Sequence, residues 1–415
     1  MDYFNYKDGE LYAEGIKVAD LAKKHGTPLY IYSKATLERH YRAFERALKE
    51  HPHLICYSVK SNSNLAVVAL MARMGSGFDV VSEGEMRRVK AAGGDLRKVV
   101  FSGVGKTREE IAYALSEGIE CLNVESEEEL SAVSDEARKA GVVAPVALRV
   151  NPDVDAKTLP AISTGLRSNK FGVWREDAVR LYKRIEADPH LKAAGLDCHI
   201  GSQMVSSVPI LEAADIMIDI YKELLKDGIK VGHIDLGGGL GVTYDEEQPP
   251  SPDDFFSGII ERFRSLDCAI YIEPGRAMVA NAGILACRAL YQKDNGGKHF
   301  VITDGSMSDL IRPALYGARM TIENAVQRSD ASPRVCDVVG PVCESDDFLG
   351  KERSLDVRDG DILAVRGAGA YGSSMSSCYN SRRLCAEVMV DGDKDFLVRR
   401  RQPFEQMWEN EAAAC

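Results

Sequence analysis

The chain has 415 residues, 45% of them hydrophobic and 28% charged, enough for two domains or one large barrel with additions. A net charge of -11 argues against nucleic acid or an anionic membrane as partner, since both need a basic face, and leaves small molecules. No stretch reaches the ~20 apolar residues of a membrane span, and the N-terminal "MDYFNYKDGELYAEG" lacks the basic and apolar regions of a signal peptide. The ten cysteines are scattered with no C-x-x-C, so reduced thiols and a cytoplasmic location are expected.

In chain order, "TPLYIYSK" (27–34) reads as a strand lent to a second domain, with residues 1–32 as an N-terminal segment pairing there. Eight apolar or β-branched runs follow: "ICYSVK" (55–60), "GFDVVS" (77–82), "KVVFSG" (98–103), "CLNVES" (121–126), "PVALRVN" (145–151), "LDCHIG" (196–201), "HIDLGG" (233–238) and "AIYIEPG" (269–275). Between them lie helical patterns such as "SEGEMRRVKAAG" and "TREEIAYALSEG", with a longer connection from Val150 to Leu196 that carries a helix near 176–187. Strands alternating with helices indicate βαβ units, and eight units predict a (β/α)8 TIM-like barrel over 33–280. A doubly wound open sheet is the alternative. Residues 281–415 hold strand-like runs separated by Gly, Asp and Asn turns and predict a C-terminal, mainly antiparallel β domain.

Chemistry in such a barrel sits at the C-terminal ends of the strands. Those ends carry Lys60, Asp79 with Ser82 and Glu83, Asn123 with Glu125, Arg149 with Asn151, His199 with Ser202, Gly237, Gly238 and Gly239, and Glu273 with Gly275 and Arg276. Strands commonly end in polar turn residues, so any single end is weak evidence. A Lys, a His, a glycine run and "EPGR" on one ring carry more. Glycines after strand seven let backbone N–H groups approach an anion, as barrel phosphate sites do. A phosphate cradle, a strand-end lysine and a strand-end carboxylate suggest pyridoxal phosphate, with the lysine as its Schiff-base partner. A cofactor-free barrel in which Lys60 condenses with a carbonyl substrate is the rival, as is a silent homologue that binds a regulator. His51 and His53 read as exposed loop residues, and "RRRQ" (399–402) as a solvated strand end.

Nine motifs then identify a relationship: "YSVKSN", "FDVVSEGE", "STGLRSNKFG" (163–172), "HIGSQ", "DLGGGLG", "EPGR", "IRPALYGA", "GPVCESDD" and "GAGAYG". The chain resembles the diaminopimelate decarboxylases, of the alanine racemase-like (fold type III) pyridoxal phosphate enzymes, from about Thr27 to Phe404. Ser58, Ser61 and Phe78 depart mildly from the family's usual residues and remove no reacting group. The resemblance implies that Lys60 is the Schiff-base lysine, that His199 stacks on the cofactor ring and that Glu273 pairs with its nitrogen. Ser202, Gly237–Gly239 and Gly275 would bind its phosphate, with Asp79, Arg149, Arg276 and Tyr371 also around the cofactor. Arg276, Arg312, Tyr316 and Tyr371 would bind substrate, Glu344 its distal ammonium, and Cys343 would protonate the carbanion left by CO2. It further implies meso-2,6-diaminopimelate as substrate, L-lysine as product at the last step of lysine biosynthesis, no metal, and a homodimer with shared active sites. Ornithine, arginine or a carboxylated polyamine precursor is the rival substrate.

Overall fold

The computed structural model describes residues 2–156, 164–165 and 169–413. Ser163 and 166–168 of the "STGLRSNKFG" segment lie outside the described residues. Two compact units form: Met1–Arg39 with Thr243–Glu247 and Met278–Cys415, and His40–Val242 with Gln248–Ala277.

The first unit begins with a three-stranded antiparallel sheet, β1 (Phe4–Lys7), β2 (Glu10–Ala13) and β3 (Ile16–Lys17), absent from the sequence-based expectation. These strands are short and half exposed, so their apolar alternation is faint. Next comes β4 (Leu29–Ser33), buried at every position as a central strand should be.

The second unit is the barrel. Its strands are β5 (His53–Ser58), β6 (Gly77–Val80), β7 (Val99–Phe101), β8 (Cys121–Val124), β9 (Ala144–Asn151), β11 (Leu191–Asp197), β12 (His233–Asp235) and β13 (Ala269–Ile272), with the short β10 (Val173–Trp174) on the flank of β9. All pairings are parallel, and both β13–β5 and β8–β9 are made, so the sheet closes and the open alternative is excluded. The eight runs read from the sequence correspond to these strands, most ending two or three residues earlier than expected. Helix starts are written locally. Ser82, Ser126 and Thr107 each accept a backbone N–H of the helix that follows, and Thr107 forms a reciprocal capping box with Glu110. The Glu127–Ala140 helix ends at Gly141, whose φ of 68° suits a residue without Cβ.

Inside the barrel, residues two apart along a strand share a face. Cys56, Val100, Cys121 and Ala147 make an apolar layer backed by Leu54 and Tyr271. His233 also enters this interior, its ring stacked on Tyr271 at 3.9 Å between centroids, in space that a side chain at Gly195 would fill. Burial drives the His233 pKa down to about 3, so the folded protein keeps it neutral. A depressed histidine contributes stability that is present above the unfolded value of 6.5 and is lost as pH falls toward the folded one. Below pH ~6.5, wild type should therefore lose up to about 1.4 kcal/mol per pH unit more than His233→Gln. Urea unfolding at several pH values checks this, and parallel slopes would refute it.

The remaining strands of the first unit are β14 (Gly283–Asn295), β15 (Lys298–Thr303), β16 (Ile322–Asn324), β17 (Arg334–Val339), β18 (Phe348–Leu355), β19 (Ile362–Val365), β20 (Ala386–Asp391) and β21 (Lys394–Arg399). They form one large sheet with β4, which lies between β14 and β20. The β4–β20 and β15–β17 pairs are parallel, so the sheet expected to be mainly antiparallel is mixed. Leu29, Ile31, Ile284, Ala286, Val388 and Val390 pack its core with Phe4 and Leu11. Full burial of such side chains is worth about 1.5–3 kcal/mol each. Gly369 shows how tight this unit is, because a Cβ there would collide with the Val279 carbonyl oxygen. Gly369→Ala should cost about 3 kcal/mol or more, since backbone cannot yield as a side chain can. A melting temperature within a degree of wild type would contradict it.

Two minor expectations are corrected. His51 is buried, not exposed, and its Nε2 hydrogen bonds with the Cys268 carbonyl at 2.8 Å. Within "RRRQ", Arg399 pairs with the buried Glu387 at 2.9 Å, because a buried carboxylate needs a cation.

Candidate active site

The C-terminal mouth of the barrel collects the polar residues. β5 gives way at Val59–Ser61 to a single 3-10 turn, so Lys60 sits on that turn and not on the strand itself. Its Nζ lies 2.5 Å from Asp79 Oδ2, and 38% of the Lys60 side chain is exposed while Asp79 is fully buried. The lysine is thus presented at an opening, with its charge met by a carboxylate from the neighbouring strand. Burial alone would push Asp79 up, but the Lys60 ammonium and the Ser58 hydroxyl, 2.6 Å away, hold it below the ordinary carboxylate value.

His199 follows β11, and burial, with Arg149 and Lys60 adding to it, lowers its pKa to about 3. Its Nδ1 accepts the Gly238 N–H at 3.2 Å, so the neutral ring carries its proton on Nε2. The glycine run is required by packing. Side chains at Gly237 and Gly238 would strike the His199 ring and the Glu273 carbonyl, and Gly237 adopts φ 67°. A Cβ at Gly275 would lie 3.0 Å from the Cβ atoms of Ser58 and Ser61. Arg276 is buried, and its Nε donates to Ser202 Oγ at 3.0 Å. Arg149 is buried and paired with Glu125 at 2.9 Å. Glu273 is buried too, and burial together with Asp79, Asp235 and Asp197 raises its pKa well above the ordinary value.

Lys60, Asp79, Arg149, His199, Ser202, Gly237–Gly239, Glu273, Gly275 and Arg276 therefore all belong to the barrel unit. Arg312, Tyr316, Cys343, Glu344 and Tyr371 belong to the other. There, the buried Arg312 guanidinium lies 4.3 Å from the Tyr244 ring centroid, and Tyr316 closes the Arg312–Tyr316 helical turn. Cys343 is exposed with its N–H bonded to Asn380 Oδ1 at 2.9 Å, and Glu344 accepts the Tyr379 hydroxyl at 2.7 Å. Tyr371 adopts φ 54°, uncommon for a residue with a side chain. Sequence reading missed Asp197 and Asp235, the last residues of β11 and β12, because the runs were read as continuing past them. The available signal was their spacing, two residues before His199 and Gly237 and so on the same face.

Residues 34–280 match the family model for the pyridoxal-dependent decarboxylase, pyridoxal binding domain. The chain is 53% identical over 409 residues to the diaminopimelate decarboxylase of Haemophilus influenzae, covering 98% of this chain and 99% of that one. It is 52% identical over 412 residues to that of Pseudomonas aeruginosa, covering 99% of each. Among solved structures, diaminopimelate decarboxylase from Helicobacter pylori complexed with L-lysine is 41% identical with TM-score 0.91, covering 95% of this chain and 98% of that one. The M. jannaschii enzyme in co-complex with L-lysine is 35% identical with TM-score 0.95, covering 100% of this chain and 98% of that one. Full-length identity at this level, on a closed barrel with this lysine, glycine and glutamate ring, makes the chain a member of the diaminopimelate decarboxylase family of pyridoxal-dependent decarboxylases.

Proposed function

We propose that this chain is an enzyme that uses pyridoxal 5'-phosphate to decarboxylate meso-2,6-diaminopimelate to L-lysine and CO2, the last step of lysine biosynthesis. The observation that carries the reading is Lys60, ion-paired with the buried Asp79 on the barrel ring that also holds His199, Gly237–Gly239 and Glu273. The donor set fits the cofactor. There is an amine for its aldehyde, a glycine run packed too tightly for side chains, and a dry carboxylate for a ring nitrogen. When bound, pyridoxal phosphate supplies the electron sink for the pair released as the C–CO2 bond breaks.

The remaining work falls to the chain. Asp79 Oδ2 holds the Lys60 Nζ in place and accepts its hydrogen bond. Neutral His199 offers an uncharged ring face, and Glu273 holds the proton of the cofactor's ring nitrogen. Ser202, the glycine backbone, Gly275 and Tyr371 are assigned to the phosphate, with Arg149 and Arg276 as nearby cations. Arg276, Arg312, Tyr316 and Tyr371 are assigned to substrate carboxylates, and Glu344 to the distal ammonium. Cys343 Sγ is assigned the proton delivered to the carbon that has lost CO2. Fixed charges at the distal end disfavour ornithine, which would leave an arginine unpaired.

We assign Cys343 and Glu344 to the active site of a second copy in a homodimer. Their exposure on their own unit supports this. Residues 33–280 are taken as the cofactor-binding barrel, 281–415 as the β domain and 1–32 as the segment that joins it. The β4 strand between β14 and β20 supports that division. A cytoplasmic location is in keeping with the nine free cysteines among the described residues. The test is CO2 release from meso-diaminopimelate by the purified protein with pyridoxal phosphate, with lysine measured in parallel. Turnover of ornithine with diaminopimelate untouched would transfer the function to another decarboxylase specificity.

A further inference from the structure

The barrel interior below the mouth holds more acid than its cations answer. Lys60 pairs with Asp79, and Arg149 pairs with Glu125. Asp197, Asp235 and Glu273, on or just after three consecutive strands, have no cation at ion-pair distance among the described residues. All three are buried, and one oxygen from each lies within 4.8 Å of the other two. Three negative charges at that separation, buried away from bulk solvent, repel one another strongly. A protonated ring nitrogen on the cofactor would neutralise one, and two would remain.

The hydrogen bonds indicate which. Asn123 Nδ2 donates to Ser102 Oγ at 3.1 Å, which leaves the Ser102 proton for Glu273 Oε1 at 3.3 Å. Glu273 therefore sits as an acceptor, the role of an ionised carboxylate. Asp235 Oδ1 accepts the Gly237 N–H at 2.8 Å, while its Oδ2 is buried with no hydrogen-bond partner among the described residues. Asp197 Oδ1 is likewise buried without a partner. A proton on each of these atoms turns an unsatisfied acceptor into a donor within a cluster of carboxyl oxygens.

We propose that Asp197 and Asp235 are held as neutral carboxylic acids at neutral pH, and that they position Glu273 and leave it the single ionised member of the trio. Burial raises the Asp197 and Asp235 pKa values, in agreement with this; the same cause raises that of Glu273, whose ionisation rests on the ring-nitrogen proton assigned to it above. The proposal rests on the reading of Glu273 as the partner of the ring nitrogen. Neither aspartate touches substrate in this account; both act through Glu273 as positioning residues.

Infrared spectroscopy of the holoenzyme at neutral pH tests it. The carbonyl stretch of protonated carboxylic acids should be present, should shift in D2O, and should lose one component in Asp235→Asn and another in Asp197→Asn. Asp235→Asn keeps the shape of a neutral acid and should retain kcat within about tenfold, whereas Asp235→Ala should lose about 100-fold. The wild-type band requires no variant to fold. Its absence overturns the proposal, and so does one equivalent of a divalent cation in the purified holoenzyme, since the same three oxygens could serve as ligands. The band reports carboxyl protons whether or not Glu273 meets the ring nitrogen. That reading fails separately, if Glu273→Gln leaves the visible spectrum of the bound cofactor unchanged.

Discussion

Lys60→Ala is expected to lower kcat on meso-diaminopimelate by at least ~10³-fold and to leave no cofactor attached to the polypeptide after borohydride reduction. The size of the effect follows from what Lys60 alone offers. It is the amine that the Val59–Ser61 turn carries at the barrel mouth, held 2.5 Å from the buried Asp79. Removing it deletes the amine assigned to the cofactor's aldehyde, and leaves Asp79 buried with its ammonium gone. A stability loss is expected alongside, since an unpaired buried carboxylate costs several kcal/mol, on the order of 3–5. Folding is checked by circular dichroism, and cofactor retention by mass spectrometry of the reduced protein. A variant that keeps both a covalently held cofactor and CO2 release would remove Lys60 from the mechanism.

Glu273→Gln is the second large effect, a loss in kcat on the order of 10²–10³-fold with KM changed far less. A glutamine fills the same volume and can still accept from Ser102, so the fold should survive. It lacks the negative charge that keeps a ring nitrogen protonated, and the electron sink is weakened in the transition state for C–C cleavage more than in the bound ground state. Steady-state kinetics with diaminopimelate decides the matter. A loss confined to KM would assign Glu273 to substrate binding.

Much of this was readable before any coordinates. The eight β-branched runs announced the barrel strands because a strand buried on both faces must be continuously apolar. Lys60, His199, Gly237–Gly239 and Glu273 stood out because each interrupts such a run at its C-terminal end. The motifs around Cys343 and Glu344 carried the family resemblance, and comparison with known decarboxylases bears the family out.

Other features depended on which segments became neighbours. Closure of the barrel through β13–β5 joins its last strand to its first, far apart in the chain, and no local pattern states it. The parallel partners of β4 and β15 escaped for the same reason, since a strand's sequence reports its burial and not its neighbour's direction. Asp197 and Asp235 were hidden inside runs that read as ordinary strands. Whether an aspartate in a strand meets water or the barrel interior depends on strand register, because a one-residue shift turns every side chain to the opposite face. The sequence by itself determined the eight barrel strands and the family, and singled out the candidate reacting groups at the strand ends. Only the tertiary structure decided that Lys60 faces a buried Asp79 and that three carboxyls crowd one interior. Those charges interact through space, between separate strands, through contacts that no local stretch of sequence states.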